Sequence, residues 1–163
     1  MPLPASTVVG VMGPSQAPPA VVEQAETLGR RIAQAGWALL TGGRDAGIMD
    51  AASHGARQAG GLTIGILPGR PEDGGVSGSV QVPIFTGMGD ARNVINVLSS
   101  RAIVALPGGP GTLSEVALAL KAGRPVALLG WPEGHDLMGP IGHRAHRVAS
   151  VDEAIAWLHE LLG

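Results

Sequence analysis

The sequence predicts a doubly wound α/β fold, in which helices cover both faces of a mostly parallel β-sheet. Short apolar runs alternate with longer segments of helical periodicity along the 163-residue chain. Its 26 glycines and 13 prolines are spread over many short connections without a collagen-like period. An apolar content of 45% is enough for one core, and no long linker divides the chain. Residues 1–163 are therefore predicted to form a single domain.

Apolar runs and helical periodicity place the elements. The predicted strands are 7–12, 38–41, 63–67, 82–85, 102–106 and 126–129. The predicted helices are 18–34, 48–59, 90–99, 111–122 and a last one from Ser150, which forms a capping box with Glu153. The inner face of that last helix is predicted to contain Ala154, Trp157, Leu158 and Leu161. The polar, glycine-rich segment 69–80 is predicted to be a loop, and the sequence leaves open whether it closes over a site.

Composition argues against several functional classes. The formal net charge is −2 and no dense run of Lys or Arg occurs, so no nucleic-acid partner is expected. No cysteine is present, which excludes disulfides and thiolate chemistry. His143 and His146 are interpreted as part of a surface loop, and no protein-ligated metal is expected. The sequence shows no 18-residue apolar run and no secretory leader, so we expect no membrane span and a cytoplasmic location.

A glycine-rich loop, 107–112, follows the predicted strand 102–106 and opens an almost entirely apolar helix. Glycines let a backbone approach an anion closely, and the free N–H groups of a helix start point toward that anion. This loop is the predicted phosphate site. The alternative is an ordinary helix start, with Thr112 as N-cap and Glu115 completing a capping box.

Two further loops have the same arrangement of strand, glycines and helix, at 41–49 and 86–93. The carboxyl ends of parallel strands meet at one sheet edge, so these loops are predicted to frame a single crevice. Arg92 falls in the first turns of its helix, where a cation is disfavoured unless an anion compensates it. The predicted anion is a ligand phosphate or the carboxylate of Glu115. The alternative is that the Arg92 side chain is simply exposed to solvent.

Two common nucleotide motifs are missing. The first strand leads to Gly10-Val11-Met12-Gly13-Pro14, which lacks G-x-G-x-x-G spacing, and no acidic residue ends the second strand. An NAD cofactor is therefore not expected. No Gly-Lys-Ser/Thr occurs either, which argues against ATP hydrolysis of the Walker A type.

The motifs Thr41-Gly42-Gly43, 47–52, Gly87-Met88-Gly89-x-Ala91-Arg92-Asn93 and Pro107-Gly108-Gly109-x-Gly111-Thr112-x-x-Glu115 resemble the Rossmann-like LOG superfamily. Within it they are most similar to the branch of molybdenum cofactor carrier proteins, and the resemblance covers about residues 6 to 130. It implies a ligand site formed by Gly13, Thr41, Gly42, Gly43, Gly47, Met88, Arg92, Asn93, Pro107, Gly108, Gly109, Pro110, Gly111, Thr112 and Glu115.

The resemblance implies two functions and leaves open whether the protein is an enzyme. A carrier would hold the pterin-phosphate of the molybdenum cofactor at 107–112, with the Gly42-Gly43 loop beside the pterin. A LOG-type phosphoribohydrolase would cleave the N-glycosidic bond of a nucleoside 5′-monophosphate, with Arg92 and Glu115 as catalytic residues. LOG enzymes usually carry the motif Met-His-x-Arg-Lys, whereas residues 89–93 of this chain have Asn93 at the lysine position. The glycine-rich loop also has Pro110 where the enzymes often have an aromatic residue. Both departures favour the carrier over the enzyme. A nucleotide-sensing or storage protein is a third hypothesis.

An association of identical subunits is also predicted. The apolar helix 111–122 has more apolar surface than one sheet face can cover. A homodimer or homotetramer is therefore expected.

Overall fold

The computed structural model describes residues 6–132 and 143–163, which form a seven-stranded sheet with helices on both sides. The strands are β1 (Val8–Met12), β2 (Ala38–Thr41), β3 (Thr63–Leu67), β4 (Val82–Phe85), β5 (Ala102–Ala105), β6 (Val126–Leu129) and β7 (His146–Val148). Their order is β4-β3-β2-β1-β5-β6-β7, and every neighbouring pair is parallel. The predicted Rossmann-like α/β fold is confirmed.

The described residues contain five α-helices, of which the first four lie between strands and the last follows the final strand. They are α1 (Pro19–Gln34), α2 (Gly47–Gln58), α3 (Arg92–Ser99), α4 (Pro110–Lys121) and α5 (Val151–Leu162). The core has two layers, because alternate strand residues point to opposite faces of the sheet. Val9 and Val11 of β1 pack with α1, α2 and α5 on one face, whereas Met12 packs with α3 and α4 on the other.

Helices α1 and α2 lie unusually close to one another. A Cβ added to Gly29 would overlap the carbonyl oxygen of Ala52, and one added to Gly55 would overlap that of Glu26. Small residues on both helices therefore let their backbones touch. This contact holds α2 against α1, and Met49 near the start of α2 lines the cleft described below.

The structure corrects three local predictions. His146 and Arg147 lie in the edge strand β7 rather than in a surface loop, and His143 lies in a short 3-10 turn before it. The helix predicted over 90–99 is divided into a 3-10 turn, Gly89–Ala91, and α3. On α5, Leu161 is 44% exposed and Ile155 takes the buried position instead.

The capping box at the start of α5 is present in a modified form. Ser150 Oγ accepts a hydrogen bond from the Glu153 amide at 3.2 Å, and the Glu153 carboxylate accepts one from the Ala149 amide at 2.7 Å. None of the helices in residues 6–132 and 143–163 has the length and hydrophobicity of a membrane-spanning segment.

Candidate functional site

A cleft of about 290 Å³ lies at the carboxyl ends of β1, β2 and β5. The strand order reverses between β1 and β5, and doubly wound sheets bind ligands in the crevice at such a switch point. Gly13, Pro14 and Ser15 follow β1 on one side of the cleft, and the first turn of α4 lies on another side. The topology therefore brings the predicted loops together.

The first turn of α4 presents its backbone to the cleft. Gly109 is the N-cap, Pro110 is the first helical residue, and no side chain of the described residues caps the helix. The amides of Gly111 and Thr112 belong to the first turn, where no intrahelical carbonyl is within reach. Because Pro110 has no N–H, these two amides are the helix-start donors beside the cleft. The alternative of a Thr112–Glu115 capping box is therefore wrong, since the helix begins two residues before Thr112.

Neither packing nor backbone conformation in the described chain requires glycine at positions 109 and 111. A Cβ added to either would meet no atom within 4 Å, and neither has a positive φ. Both residues border the cleft. The described chain would therefore accommodate a side chain at either position without a clash, and both positions lie beside the free amides of the helix start.

Other glycines around the cleft are required by protein packing. A Cβ on Gly13 would lie 2.6–2.7 Å from the Ile48 side chain, and one on Gly42 would lie 2.5 Å from Arg92 Nη1. A Cβ on Gly108 would overlap the hydroxyl oxygen of Thr112. Gly43 has a φ of +77°, which an L side chain rarely adopts. Of these four glycines, Gly13 and Gly42 line the cleft directly.

Arg92 connects three parts of the site. Its Nη1 donates hydrogen bonds to the carbonyl oxygens of Gly42 and Ile66, each at 2.5 Å, and its Nε is buried without a partner in the described chain. Burial lowers the pKa of Arg92, and the nearby Glu115 opposes that shift. An arginine remains protonated in proteins, so Arg92 keeps a positive charge at the cleft. The hypothesis of a solvated arginine is wrong.

Glu115 is almost completely buried, at 9% exposure, and borders the cleft. The fully buried Asn96 of α3 donates a hydrogen bond from Nδ2 to Glu115 Oε2 at 3.0 Å. Burial raises the pKa of Glu115, while the Asn96 hydrogen bond and the charge of Arg92 act in the opposite direction. Among the described residues, no cation forms an ion pair with this carboxyl group.

A second cation, Arg44, is held at the mouth of the cleft. Its backbone forms an antiparallel bridge with Val76, and the neighbouring Asp45 amide donates to the Gly75 carbonyl at 3.0 Å. The Ser77 amide donates to the Gly43 carbonyl at 2.9 Å, so the loop 69–80 is attached to the loop after β2. Arg44 is close enough to Arg92 to lower the pKa of Arg92 through charge repulsion. Arg44 thus adds a second positive charge to the lining of the cleft, which also contains Asp90 near Arg92.

Nine of the predicted site residues line the cleft, namely Gly13, Gly42, Arg92, Asn93, Gly109, Pro110, Gly111, Thr112 and Glu115. The other six, Thr41, Gly43, Gly47, Met88, Pro107 and Gly108, do not line it. Thr41 is buried beneath it, where its Oγ1 accepts a hydrogen bond from the Gly43 amide at 3.0 Å. Met88 is 51% exposed and lies outside it.

Sequence reasoning missed several residues of the site. The lining also contains Val11, Met12, Pro14, Ser15, Arg44, Met49 and Asp90. Most of them lie in or beside the predicted loops and follow from the switch-point rule. The sequence indicated Asn96 only weakly. It is the single amide side chain in the otherwise apolar run 94–98, and it lies one helical turn after Arg92 and Asn93.

Comparison with known proteins assigns the family. The family model for the SLOG cluster4 family matches residues 6–155, nearly the whole chain. The chain belongs to the SLOG cluster4 family. The resemblance to the LOG superfamily that the motifs predicted is thus confirmed.

Two solved structures are similar to this SLOG protein over almost their full length. The molybdenum cofactor binding protein from Rippkaea orientalis has 44% sequence identity and a TM-score of 0.93, with coverage of 99% of this chain and 100% of that chain. The molybdenum cofactor carrier protein from Chlamydomonas reinhardtii has 47% identity and a TM-score of 0.88, with coverage of 97% and 99%.

A more distant relative is an enzyme. The cytokinin riboside 5′-monophosphate phosphoribohydrolase of Mycobacterium marinum is 31% identical, and the match covers 88% of this chain and 72% of the relative. The comparisons thus include both functional classes that the motifs implied, and the greater similarity is to the molybdenum cofactor proteins.

Proposed function

We propose that this protein carries or stores the molybdenum cofactor, which it binds through the terminal phosphate of the pterin. One observation carries the proposal: the uncapped first turn of α4 faces a cleft in which Gly109 and Gly111 leave open space. The 44% and 47% identity to two molybdenum cofactor binding proteins supports the choice of ligand.

The phosphate would meet backbone donors and positive charge together. The amides of Gly111 and Thr112 supply hydrogen bonds, and the dipole of α4 favours an anion at its N-terminus. Arg92 and Arg44 add two cations at the same cleft, and no carboxylate forms an ion pair with either among the described residues. A charge-assisted hydrogen bond from such an arginine is about twice as strong as a neutral one.

The remainder of the cleft suits a ring that is held by apolar and backbone groups. Met12 and Met49 line it beside Gly42, and among residues 6–132 and 143–163 no aromatic side chain does so. Methionine adapts its shape to an irregular partner and makes favourable contacts with ring systems through its sulfur. We therefore place the pterin between the β1 and β2 loops, with its phosphate at α4.

The proposal is tested by cofactor binding and protection. The full chain is mixed anaerobically with molybdenum cofactor released from a molybdoenzyme, and the cofactor that elutes with the protein is measured before and after exposure to air. We expect co-elution and slower loss of cofactor activity than in solution. Gly109→Leu should abolish both effects without unfolding the protein, because its side chain would occupy the open cleft.

Gly78→Leu is the matched control. Gly78 also has no atom within 4 Å of an added Cβ and no positive φ, but it does not line the cleft. Equal cofactor retention by the two leucine variants would contradict the proposed site. Failure of the unsubstituted protein to bind the cofactor would contradict the proposed function.

A phosphoribohydrolase is the second candidate, and the presence of both Arg92 and Glu115 in the lining of one cleft favours it. In that reaction Glu115 would activate water or stabilise the oxocarbenium-like transition state, and the products are a free base and ribose 5-phosphate. Incubation with AMP and related monophosphates tests it. Sustained release of ribose 5-phosphate that is lost in Glu115→Gln would favour the enzyme over the carrier.

Association into a homodimer or homotetramer is part of the same proposal. Large apolar side chains are exposed by 41–51% on β4 and α3, at Val82, Ile84, Val94 and Leu98. This surface, rather than α4, is the better candidate for a contact between copies. Light scattering during gel filtration measures the mass, and a Val94→Glu/Leu98→Glu variant should reduce it.

A cytoplasmic location stays a prediction.

A further inference from the structure

The carboxyl group of Glu115 has an amide as its partner where a cation would be expected. Asn96 Nδ2 donates to Glu115 Oε2 at 3.0 Å, and the Asn96 side chain is completely buried. Glu115 Oε1 forms no hydrogen bond with the described residues, and Glu115 borders the cleft. Asn96 thus fixes one oxygen of the carboxyl group and leaves the other to whatever occupies the cleft.

The charges around this carboxyl group do not form a close pair with it. From α3, Arg92 faces it, but Arg92 Nη1 is engaged by the carbonyls of Gly42 and Ile66. Asp90 and Arg44 lie near Arg92, from the turn before α3 and from the loop after β2. The described part of α4 adds no charged side chain to the cleft other than Glu115 itself. An anionic ligand placed here would repel an ionised Glu115.

We propose that Asn96 is a positioning residue which fixes the orientation of the Glu115 carboxyl group, and that Glu115 is a neutral acid in the ligand complex, with Oε2 as acceptor for Asn96 and the Oε1 hydroxyl donating to an oxygen of the anionic ligand. This inference rests on the proposed binding of a phosphate-bearing ligand. It adds that binding takes up one proton, which comes from solvent and stays on Glu115 Oε1. Glu115 then serves as a hydrogen-bond donor to the ligand.

A neutral Glu115 in the complex agrees with the effect of burial on its pKa. Burial raises the pKa of Glu115 in the free protein, and a ligand anion would raise it further by like-charge repulsion. A group whose pKa rises on binding takes up a proton when the complex forms, if it was ionised beforehand. Above the pKa of Glu115 in the free protein, affinity should therefore fall about tenfold for each pH unit.

The test measures the dissociation constant of an oxidised pterin with a terminal phosphate between pH 5 and 8.5, on the full chain. The second proton of the phosphate also titrates, with a pKa of about 6. Dividing the dissociation constant of the unsubstituted protein by that of Glu115→Gln at each pH removes this contribution. Titration calorimetry in two buffers of different ionisation enthalpy counts the protons taken up.

Glu115→Gln keeps a neutral donor and acceptor of the same shape, so its affinity should lie within about threefold of the unsubstituted protein at low pH. The ratio of dissociation constants should then rise by about tenfold per pH unit, with uptake of about one proton. Glu160→Gln is the control, because Glu160 is exposed on α5 far from the cleft lining, and it should leave the profile unchanged.

Asn96→Leu tests the positioning role. Its hydrogen bond lowers the pKa of Glu115, so its loss should move the bend of the pH profile to higher pH. A purely structural role would weaken binding equally at every pH. A constant ratio from pH 5 to 8.5 without proton uptake, or loss of binding in Glu115→Gln at low pH, overturns the inference while the proposed carrier function stands. Absence of binding by the unsubstituted protein overturns both.

Discussion

Arg92 donates a hydrogen bond from Nη1 to the carbonyl oxygen of Gly42, which joins α3 to the loop after β2 across the floor of the cleft. The same nitrogen donates to the Ile66 carbonyl of β3. The two carbonyls belong to neighbouring strands or their loops, so a single side chain holds the sheet edge, the loop and the helix together. Arg92 is thus part of the structure of the site as well as a source of positive charge.

Arg92→Met should destabilise the fold. The substitution removes both hydrogen bonds, and hydrogen bonds to charged groups contribute about 1.5–3 kcal/mol each, while relief of the buried charge offsets part of the loss. We expect a net decrease of about 1–3 kcal/mol in the free energy of unfolding, measured by urea denaturation. Arg101→Gln is the control, since Arg101 is exposed and forms no side-chain hydrogen bond with the described residues. Equal stability of the two variants would contradict this role.

Alanine should have opposite effects at two helical glycines. At Gly29 the new Cβ would overlap the Ala52 carbonyl oxygen, so α1 and α2 must separate at a cost of about 1–3 kcal/mol. At Gly111 the Cβ would meet nothing, and alanine is a better helix former by up to about 1 kcal/mol. Thermal unfolding should therefore show a lower Tm for Gly29→Ala and an equal or higher Tm for Gly111→Ala.

The same pair separates stability from ligand binding. Gly111→Ala should weaken cofactor binding despite its stable fold, because Gly111 lines the cleft and its amide is one of the two proposed phosphate donors, so an added methyl group would hinder close approach of the ligand. If the protein binds the cofactor equally well with alanine at this position, close approach of the ligand to the α4 backbone would be refuted.

Ser150→Ala should remove the N-cap of α5. Ser150 Oγ accepts from the Glu153 amide at 3.2 Å, and loss of such a cap costs about 1 kcal/mol, within a range of 0.5–2. Ser99→Ala is the matched control, because Ser99 is exposed in α3 and no hydrogen bond of its side chain is found in the described chain. Chemical denaturation should show a lower free energy of unfolding for Ser150→Ala but not for Ser99→Ala. A change of equal size in both variants would contradict the cap.

The sequence predicted the elements with strong local signals and missed those set by tertiary contacts. The buried strands β1, β2, β5 and β6 are continuous apolar runs, as expected of strands covered on both faces. By contrast, β7 has three residues at the sheet edge and only Val148 is buried, so it has no apolar pattern to detect.

The site residues likewise divide into those with a local sequence signal and those whose position depends on tertiary contacts. Glycine spacing predicted the α4 loop, because an anion-binding turn needs glycine locally. The burial of Asn96 depends on the packing of α4 against α3, and the single amide in the apolar run 94–98 does not identify that partner. The pattern of Thr112 and Glu115 also fits a capping box, yet Gly109 and Pro110 start the helix earlier and leave Glu115 to pack against α3.

Glu115 should make stability depend on pH. Its pKa in the folded protein is raised by burial above the ordinary value of about 4.3, so the folded state binds more protons than the unfolded state between those two values. The free energy of unfolding should therefore fall as the pH rises through this window, and the contribution is fully present below pH 4.3. Above the raised pKa, a buried carboxylate without a close cation remains and destabilises the fold.

Glu115→Gln removes this group while keeping an acceptor for Asn96 Nδ2. The variant should be more stable than the unsubstituted protein at pH 8, and the difference should shrink as the pH is lowered to 4. Urea denaturation at half-unit intervals measures it, with Glu160→Gln as a control for the loss of one exposed charge. A difference that stays constant from pH 4 to 8 would show that Glu115 has the same affinity for its proton in the folded and unfolded states, and burial would then have no net effect on its pKa.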